Sequence, residues 1–221
     1  MKTFTILKPD DWHLHLREGA VLKNIIKFTS EFYGRAIVMP NTKIPITSIN
    51  KCISYKKNIS EALPKNSKFE SLMTIYLTDE TNKDELIRGF KNNVFFAAKL
   101  YPANATTNSS YGVKKIENLY KIFESMQEFG MPLLIHGEVT NPEVDVFDRE
   151  EVFIDKELSQ ITKRFPKLKI VLEHITTSYA VDFVQENNIG ATITPHHLHI
   201  NRNAMFFGGL NSDFYCLPVA K

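Results

Sequence analysis

The stretch 113–136, VKKIENLYKIFESMQEFGMPLLIH, contains the two kinds of segment that decide the fold. Its first part spaces apolar residues as on one face of a helix, and Gly130 is a natural stop for a helix predicted over Val113–Phe129. Its last part, Pro132–His136, is a short apolar run with the length of a buried strand. A helix thus leads directly into a strand that ends in a histidine. The apolar stripe of the helix consists of Ile116, Leu119, Tyr120, Phe123 and Met126.

The same alternation of short apolar runs and helical patterns extends over the rest of the chain. Helices are predicted over Ile46–Leu63, with Ile49, Ile53 and Ile59 facing inward, and over Glu150–Phe165. Strands that alternate with helices indicate βαβ units and a parallel sheet. The strand candidates are Asp11–Leu16, Arg35–Met39, Phe69–Tyr76, Val94–Tyr101, Pro132–His136, Lys169–Glu173 and Ala191–Thr194.

These seven strands predict a (β/α)8 TIM barrel that lacks its last βα unit. Eight units typically take about 250 residues, and this chain has 221. Residues 1–221 contain no linker and no abrupt change of composition, so we expect a single domain. A doubly wound open sheet is the alternative. It is the weaker interpretation because no glycine-rich phosphate loop follows the first strand.

The composition excludes several classes of function. A chain with 43% hydrophobic and 24% charged residues is ordinary for a soluble globular protein. Its 27 basic residues nearly balance 25 acidic ones, so binding to nucleic acid or to a membrane surface is not expected. No apolar run approaches the roughly 18 residues of a membrane span. Cys52 and Cys216 form no CxxC pair, which argues against a disulfide framework and favours a cytoplasmic location.

Histidines stand at the ends of three predicted strands. His13 and His15 end the first strand, His136 ends the fifth and His174 ends the sixth. In a parallel barrel these ends meet at one face, and residues two apart in a strand point the same way. Since imidazole is a good ligand for Zn²⁺, the set predicts a zinc site. Taken one by one, the same histidines also fit structural residues with backbone partners.

Lys99 lies inside the otherwise apolar strand VFFAAKLYP. One interpretation is a buried lysine that pairs with a carboxylate. The other is a lysine carboxylated by carbon dioxide, whose two carbamate oxygens bridge two metal ions. Carboxylation needs the neutral amine, which burial and neighbouring cations favour. The carbamate is therefore expected only where metal ions are bound.

A second histidine-rich stretch, ITPHHLHINRN, contains His196, His197 and His199. His197 and His199 have the same i, i+2 spacing as the first pair. They follow Pro195 in a predicted loop rather than ending a strand, so we interpret all three as polar loop residues and not as metal ligands.

Eight motifs together resemble one known family, the single-function bacterial and fungal type of dihydroorotase in the amidohydrolase superfamily. They are DWHLHLREG, VMPNT, AAKLYPANATTNS, PLLIHGEV, LEHITT, ITPHHL, INRN and GGLNSDFYCLP, which follow one another in the family's order over nearly the whole chain. AAKLYPANATTNS and the paired HGE and EHITT runs are the specific ones.

The resemblance implies a (β/α)8 barrel with two zinc ions per subunit. One zinc would be held by His13, His15 and the carboxylated Lys99. The other would be held by the same carbamate together with His136 and His174. His15 and His136 are implied to contact the substrate as well.

The resemblance also implies a set of substrate contacts. Arg17 and Asn41 match positions that bind a carboxylate, which suits the bidentate fork of arginine. Leu217 matches a backbone contact to the pyrimidine ring, and Thr106 and Thr107 match a mobile loop that closes over the substrate. The implied reaction is the reversible cyclisation of N-carbamoyl-L-aspartate to L-dihydroorotate in pyrimidine biosynthesis. In the hydrolytic direction, a metal-bridging hydroxide attacks the ring amide. A homodimer is the implied assembly.

The sequence departs from the family at its end. The family's eighth strand carries an aspartate that binds zinc and acts as general acid and base, and no acidic residue before Lys221 matches it. Asp213 lies in the GGLNSDF loop and does not match. We therefore assign no catalytic residue and expect little or no turnover from these 221 residues alone. A hydantoinase-like cyclic amidase and an inactive amidohydrolase-like subunit remain as alternatives.

Overall fold

The computed structural model describes residues 3–221, which form one sheet of seven parallel strands surrounded by helices. The strands follow the sheet in chain order, each beside the next, as the sequence predicts for successive βα units. Residues 3–221 thus contain seven strands of a TIM-type barrel and no eighth βα unit. Their bounds are β1 (Asp11–Leu14), β2 (Arg35–Val38), β3 (Glu70–Tyr76), β4 (Ala97–Leu100), β5 (Leu133–His136), β6 (Ile170–Glu173) and β7 (Gly190–Ala191).

Helices fill the connections between the strands. Several begin where a polar side chain accepts a hydrogen bond from a free backbone N–H, as at Ser48, Asn82 and Thr177. Among residues 3–221, no helix is long and apolar enough to cross a membrane. The helices are α1 (Gly19–Phe32), α2 (Ile49–Ala62), α3 (Lys83–Lys91), α4 (Tyr120–Phe129), α5 (Arg149–Phe153), α6 (Ser159–Arg164), α7 (Ser178–Asn187), α8 (Pro195–His199) and α9 (Asn203–Phe206).

The sheet has an apolar layer on each face. The larger core packs helix residues such as Ile26, Ile59 and Phe123 against the outer face of the sheet. A smaller group fills the inner face and brings together side chains from β2, β4 and β5. Because these strands are not all neighbours, the sheet must curl around this group. The inner group consists of Ile37, Met39, Ala97 and Leu134, with Leu72 and Val171 packed against it.

The alternation of side chains along each strand places polar residues on the same inner face. Side chains two apart point to the same face, so Lys99 follows Ala97 and His136 follows Leu134 into the interior. The inner face is therefore apolar at its base and polar at the carboxyl ends of the strands. That polar end is where the sequence predicts the site.

The first and fourth strands are shorter than predicted. β1 ends at Leu14 rather than Leu16: the carbonyl of Leu14 accepts a hydrogen bond from the N–H of Met39, just after β2, and the chain then turns at Arg17. β4 begins at Ala97 rather than Val94. The backbone N–H of Val94 donates to Gly89 and closes the end of α3 instead of joining the sheet.

The seventh strand and the histidine-rich loop were predicted wrongly. β7 comprises two residues, Gly190–Ala191, rather than Ala191–Thr194, because the chain enters α8 at Pro195. His196, His197 and His199 accordingly lie on this short helix and not in a loop. Proline suits the first turn of a helix, where its missing N–H costs no bond.

Two helix predictions need correction as well. Ile53 is 53% exposed, and the buried residues of α2 are Cys52, Tyr55 and Ile59. The predicted helix from Val113 begins later, with a 3-10 turn over Ile116–Leu119 followed by α4. The residues before that turn are not part of the helix, and the backbone N–H of Lys114 donates to the Asp79 carboxylate instead.

Candidate functional site

Four histidines from three strand ends converge on the inner face of the sheet. The ring centroids of His13 and His15 are 5.0 Å apart, those of His13 and His174 5.1 Å, and those of His136 and His174 4.7 Å. His15 and His174 stand just beyond the ends of β1 and β6. The structure therefore brings the four predicted histidine ligands into one cluster.

His13 is oriented by a buried acid on the opposite side of the curled sheet. Its Nδ1 contacts Oε2 of Glu173, the last residue of β6, and Thr192 donates to the same oxygen. A carboxylate acceptor holds the proton on Nδ1 and leaves a lone pair on Nε2. That Nε2 lies 3.1 Å from Nε2 of His15. The two rings thus point their nitrogens at one place.

His136 has a carboxylate partner of its own. Its Nε2 lies 2.8 Å from Oε2 of Glu138, and both residues are buried. With the proton held on Nε2, the Nδ1 lone pair remains available for a ligand. Burial lowers the pKa of His136, although Glu138 opposes the shift. The ring is therefore neutral at physiological pH, as a metal ligand must be.

Burial also keeps the other two rings uncharged. It lowers the pKa of His15 and of His174 well below the usual value, and neighbouring positive groups lower both further. Among residues 3–221, the buried Nδ1 atoms of both rings have no hydrogen-bond partner. Buried polar atoms without partners are uncommon, and an unplaced ion is one of the usual reasons.

Lys99 is the best-buried polar side chain of the site. It is fully buried, and its Nζ has no hydrogen-bond partner within residues 3–221. Burial lowers its pKa to about 8, although Glu173 opposes the shift. Burial raises the pKa of Glu173, but Lys99 and His13 outweigh it, so the net pKa of this carboxyl is lowered. At pH 7 about a tenth of Lys99 is therefore in the neutral form that carboxylation needs, far more than for an ordinary lysine.

Within residues 3–221, no group of three or more His, Cys, Asp or Glu side chains has the arrangement of a metal-ion site. The predicted ligand set contains no such group, because each zinc would receive two histidines and one oxygen of modified Lys99. Neutral imidazoles, partnerless Nδ1 atoms and a partnerless buried amine fit that donor set.

The predicted carboxylate-binding residues lie beside the histidines. Arg17 has a buried Nη1 without a partner among residues 3–221, and its carbonyl accepts a hydrogen bond from Tyr55. Asn41 is buried, and its Nδ2 donates to the carbonyl of Thr107 at 2.9 Å. Asn108 returns the contact by donating to the carbonyl of Asn41. The loop predicted to close over substrate is thus docked onto Asn41.

A cavity of about 180 Å³ opens above the cluster. Leu217, a predicted substrate contact, and Thr106 of the predicted loop over the substrate line this cavity, whereas Arg17, Asn41, Lys99 and Thr107 do not. No acidic side chain is among the lining residues, which are His13, His15, Tyr101, Thr106, His136, His174, Thr194, His196, His197, Cys216, Leu217 and Pro218.

Two predicted residues have backbones in the left-handed region. His174 has φ 44° and Arg17 has φ 56°. Such conformations of residues other than glycine cost on the order of 1–3 kcal/mol and concentrate at functional sites. His174 turns the chain immediately after β6, and Arg17 turns it three residues after the end of β1.

The sequence reasoning missed several residues of this site. Glu173 and Glu138 hold two of the histidines, Tyr101 lines the cavity, and His196 and His197 line it from α8. Glu173 was detectable, because it lies two residues after Val171 on an inner strand face. The histidines of α8 were not, because only the tertiary fold brings that helix over the strand ends.

The chain is similar to known proteins over most of its length. Residues 6–215 match the sequence pattern described as the amidohydrolase family. A dihydroorotase from Cronobacter sakazakii is 54% identical over 222 residues, which span 100% of this chain and 64% of that protein.

Two solved structures give the same result. The dihydroorotase of Campylobacter jejuni is 37% identical with a TM-score of 0.89, covering 97% of this chain and 62% of that one. The dihydroorotase of Saccharomyces cerevisiae in complex with 5-fluoroorotic acid is 32% identical with a TM-score of 0.86, covering 96% and 62%. The chain therefore spans somewhat less than two thirds of the length of these relatives.

Proposed function

This chain belongs to the amidohydrolase family, and we propose that it carries the metal and substrate site of a zinc-dependent dihydroorotase. The observation that carries the proposal is the cluster of four histidines around Lys99, whose buried amine has no partner among residues 3–221. Four imidazoles and one buried lysine are more than a structural role needs.

We assign the ligands in two sets that share one residue. His13 and His15 would hold one zinc ion, and His136 and His174 would hold the other. The modified Lys99 would be a ligand of both ions. Its neutral amine would add to the carbon of CO₂: one N–C bond forms as one C=O π bond opens, the nitrogen gives up a proton to water, and the carbamate carries a negative charge over two oxygens. When bound, the zinc pair would polarise the ring amide carbonyl and lower the pKa of a water held between the ions.

The other residues bind and orient the substrate. The guanidinium of Arg17 and the amide of Asn41 would take the ring carboxylate, and the backbone of Leu217 would contact the pyrimidine ring. The loop with Thr106 and Thr107 would exclude water from the cavity. The ligand in the yeast dihydroorotase, 5-fluoroorotic acid, supports a pyrimidine carboxylate as the ligand class.

The proposed reaction is the interconversion of N-carbamoyl-L-aspartate and L-dihydroorotate. No acidic residue lines the cavity within residues 3–221, so we assign no proton carrier and expect little or no turnover from this chain alone. The proposal includes a homodimer in the cytoplasm. Free Cys52 and Cys216 are compatible with a reducing compartment, and light scattering would measure the oligomer.

Ligand binding to the zinc-loaded chain tests the proposed substrate. We expect calorimetry to show tighter binding of L-dihydroorotate than of hydantoin, which lacks the carboxylate, by about tenfold or more. The preference should disappear in Arg17→Met and persist in Arg88→Met, which changes an exposed arginine of α3. Equal binding of both ligands would contradict the proposal and favour a hydantoinase-like enzyme. Loss of all binding would favour an inactive subunit.

A further inference from the structure

The motif ITPHH is not used by the proposed metal set, yet it lies over the site. His197 projects from α8, and its Nε2 is 2.9 Å from the carbonyl oxygen of Pro218. We propose that His197 is a positioning residue that holds residues 216–218 as one wall of the cavity. It thereby fixes the backbone of Leu217 where the ring of the substrate binds. The role toward the substrate rests on the proposed function, whereas the contact itself does not.

The hydrogen bonds around His197 define which nitrogen donates. The hydroxyl of Thr194 contacts Nδ1 of His197 and can donate its proton there. Burial lowers the pKa of His197, so the ring is neutral and carries one proton. The carbonyl of Pro218 can only accept, so that proton is on Nε2, and Nδ1 is left to accept from Thr194, whose hydroxyl also lies 3.3 Å from Nε2 of His196. Thr194, His197 and Pro218 thus form a directed chain of hydrogen bonds.

The backbone of Thr194 fixes its hydroxyl, the donor to His197, in place. Thr194 stands directly before Pro195, the first residue of α8, and its carbonyl accepts the N–H of His197 at 3.1 Å. Thr194 therefore contacts His197 with both its backbone and its side chain. The imidazole ring of His197 is thus held by the hydroxyl of Thr194 at one nitrogen and by the carbonyl of Pro218 at the other, which restricts its rotation.

The segment that His197 holds makes few hydrogen bonds, although Pro218, Val219 and Ala220 are buried and Nζ of Lys221 donates to the hydroxyl of Thr176. The residues before it are exposed, with Phe207 at 85%, Leu210 at 82% and Tyr215 at 61%. Within residues 3–221, the bond to Pro218 is the one hydrogen bond found between residues 216–218 and the rest of the molecule. Cys216, Leu217 and Pro218 nevertheless line the cavity opposite the histidine cluster. His197 therefore supplies the hydrogen bond that positions this wall, beside the packing of the buried residues that follow it.

The thiol of Cys216 reports the position of the wall without zinc or substrate. Cys216 is an exposed residue, but partial desolvation raises the pKa of its thiol, so that less of it is the reactive thiolate at mildly alkaline pH. Cys52 is fully buried and serves as an internal control for unfolding. The experiment is the rate of alkylation by iodoacetamide at each cysteine of the folded chain, resolved by mass spectrometry.

We expect His197→Phe to raise the alkylation rate of Cys216 about 3- to 10-fold, because release of the segment removes the desolvation that keeps the pKa of the thiol raised. His197→Gln keeps an N–H donor at similar reach and should stay within about twofold of the wild type. The matched control is His199→Phe, which changes an exposed histidine of the same helix and should also stay within about twofold.

An unchanged rate in His197→Phe, or an equal rise in His199→Phe, would overturn the proposal. If His197→Phe unfolds, so that Cys52 also reacts, Thr194→Val replaces it. That variant removes the hydroxyl that sets the tautomer and should raise the Cys216 rate while Cys52 stays protected. An unchanged Cys216 rate there would equally overturn the proposal.

Ligand binding then separates this inference from the proposed function. In the zinc-loaded chain, His197→Phe should weaken binding of L-dihydroorotate by roughly 5- to 10-fold, and His197→Gln should restore it. If the wild type binds no dihydroorotate, the proposed function fails, and the alkylation rates still decide the role of His197. If the alkylation rates follow the expected order but His197→Phe binds dihydroorotate as tightly as the wild type, His197 positions residues 216–218. The proposed effect of that position on substrate binding would then be contradicted.

Discussion

Two buried carboxylates, Glu173 and Glu138, each contact a histidine of the cluster. A carboxylate on the far nitrogen fixes the tautomer and the ring plane, and it makes the near nitrogen a stronger donor to a metal. Both acids are therefore expected to support the proposed ligands from behind rather than to bind the metal themselves.

Glu173→Gln tests this role at one residue. The amide keeps the shape of the side chain but not its charge, so zinc affinity should fall by about 10-fold or more. Competition with a chelating dye measures the affinity, and Glu70→Gln provides the control because Glu70 is exposed at the first residue of β3. An affinity equal to that of the control variant would show that Glu173 does not support the site.

Much of the site was predictable at the scale of single residues. A histidine or lysine on an apolar strand stands out against its neighbours, and strand periodicity indicates which face it occupies. Glu138 was harder to assign, because it lies beyond the end of β5 where that periodicity no longer applies. Hydrogen-bond partners such as Thr192 for Glu173 come from distant segments, and the sequence does not show which segments meet.

Among the secondary-structure elements, Glu150 links α5 to the turn after β6. Its buried carboxylate accepts hydrogen bonds from the backbone N–H groups and the hydroxyls of Thr176 and Thr177, at 2.7–3.2 Å. His174 lies two residues before this turn and has a left-handed backbone. The acid thus helps to hold the element that aims His174 into the site.

Glu150→Ala should lower the free energy of unfolding by about 2–4 kcal/mol, because it leaves buried N–H groups without acceptors. Urea denaturation followed by circular dichroism measures the change. Its neighbour Glu151 is exposed on the same helix, and Glu151→Ala should alter stability by no more than about 0.5 kcal/mol. Similar losses in both variants would show that the anchored turn is not the cause.

The existence of most elements was predictable, but their ends were not. β4 begins late because Val94 closes α3, and the helix predicted from Val113 begins late because Asp79 takes the N–H of Lys114. Both competing hydrogen bonds join segments that a local pattern treats separately. The short α8 was missed because the histidines after Pro195 give no apolar periodicity.

For the molecule as a whole, the curl of the sheet makes the site. His13 on β1 reaches Glu173 on β6 although four strands separate them in the sheet. Chain order and parallel pairing were predictable from alternating strands and helices, because short right-handed crossovers allow few other arrangements. The side chains that fill the inner face were predictable only for strands whose predicted bounds and alternation matched the structure.

Zinc should stabilise the whole sheet, because its proposed ligands come from β1, β4 and β5 and from the turn after β6. At a free concentration about 100-fold above the dissociation constant, binding adds about 2.7 kcal/mol to the free energy of unfolding. For a chain of this size the midpoint of thermal unfolding should rise by about 5–10 °C. Scanning calorimetry measures the shift, which should disappear after chelation. Magnesium should not produce it, because it prefers oxygen ligands. A folded chain whose midpoint of thermal unfolding does not change on addition of zinc would contradict the proposed metal site.

The most direct test of the central claim is the zinc content of the purified chain after dialysis against a metal-free buffer. The account predicts up to two zinc ions per chain by elemental analysis, retained in His199→Ala and reduced in His13→Ala and Lys99→Met. Wild-type protein that holds no more zinc than His13→Ala would contradict it.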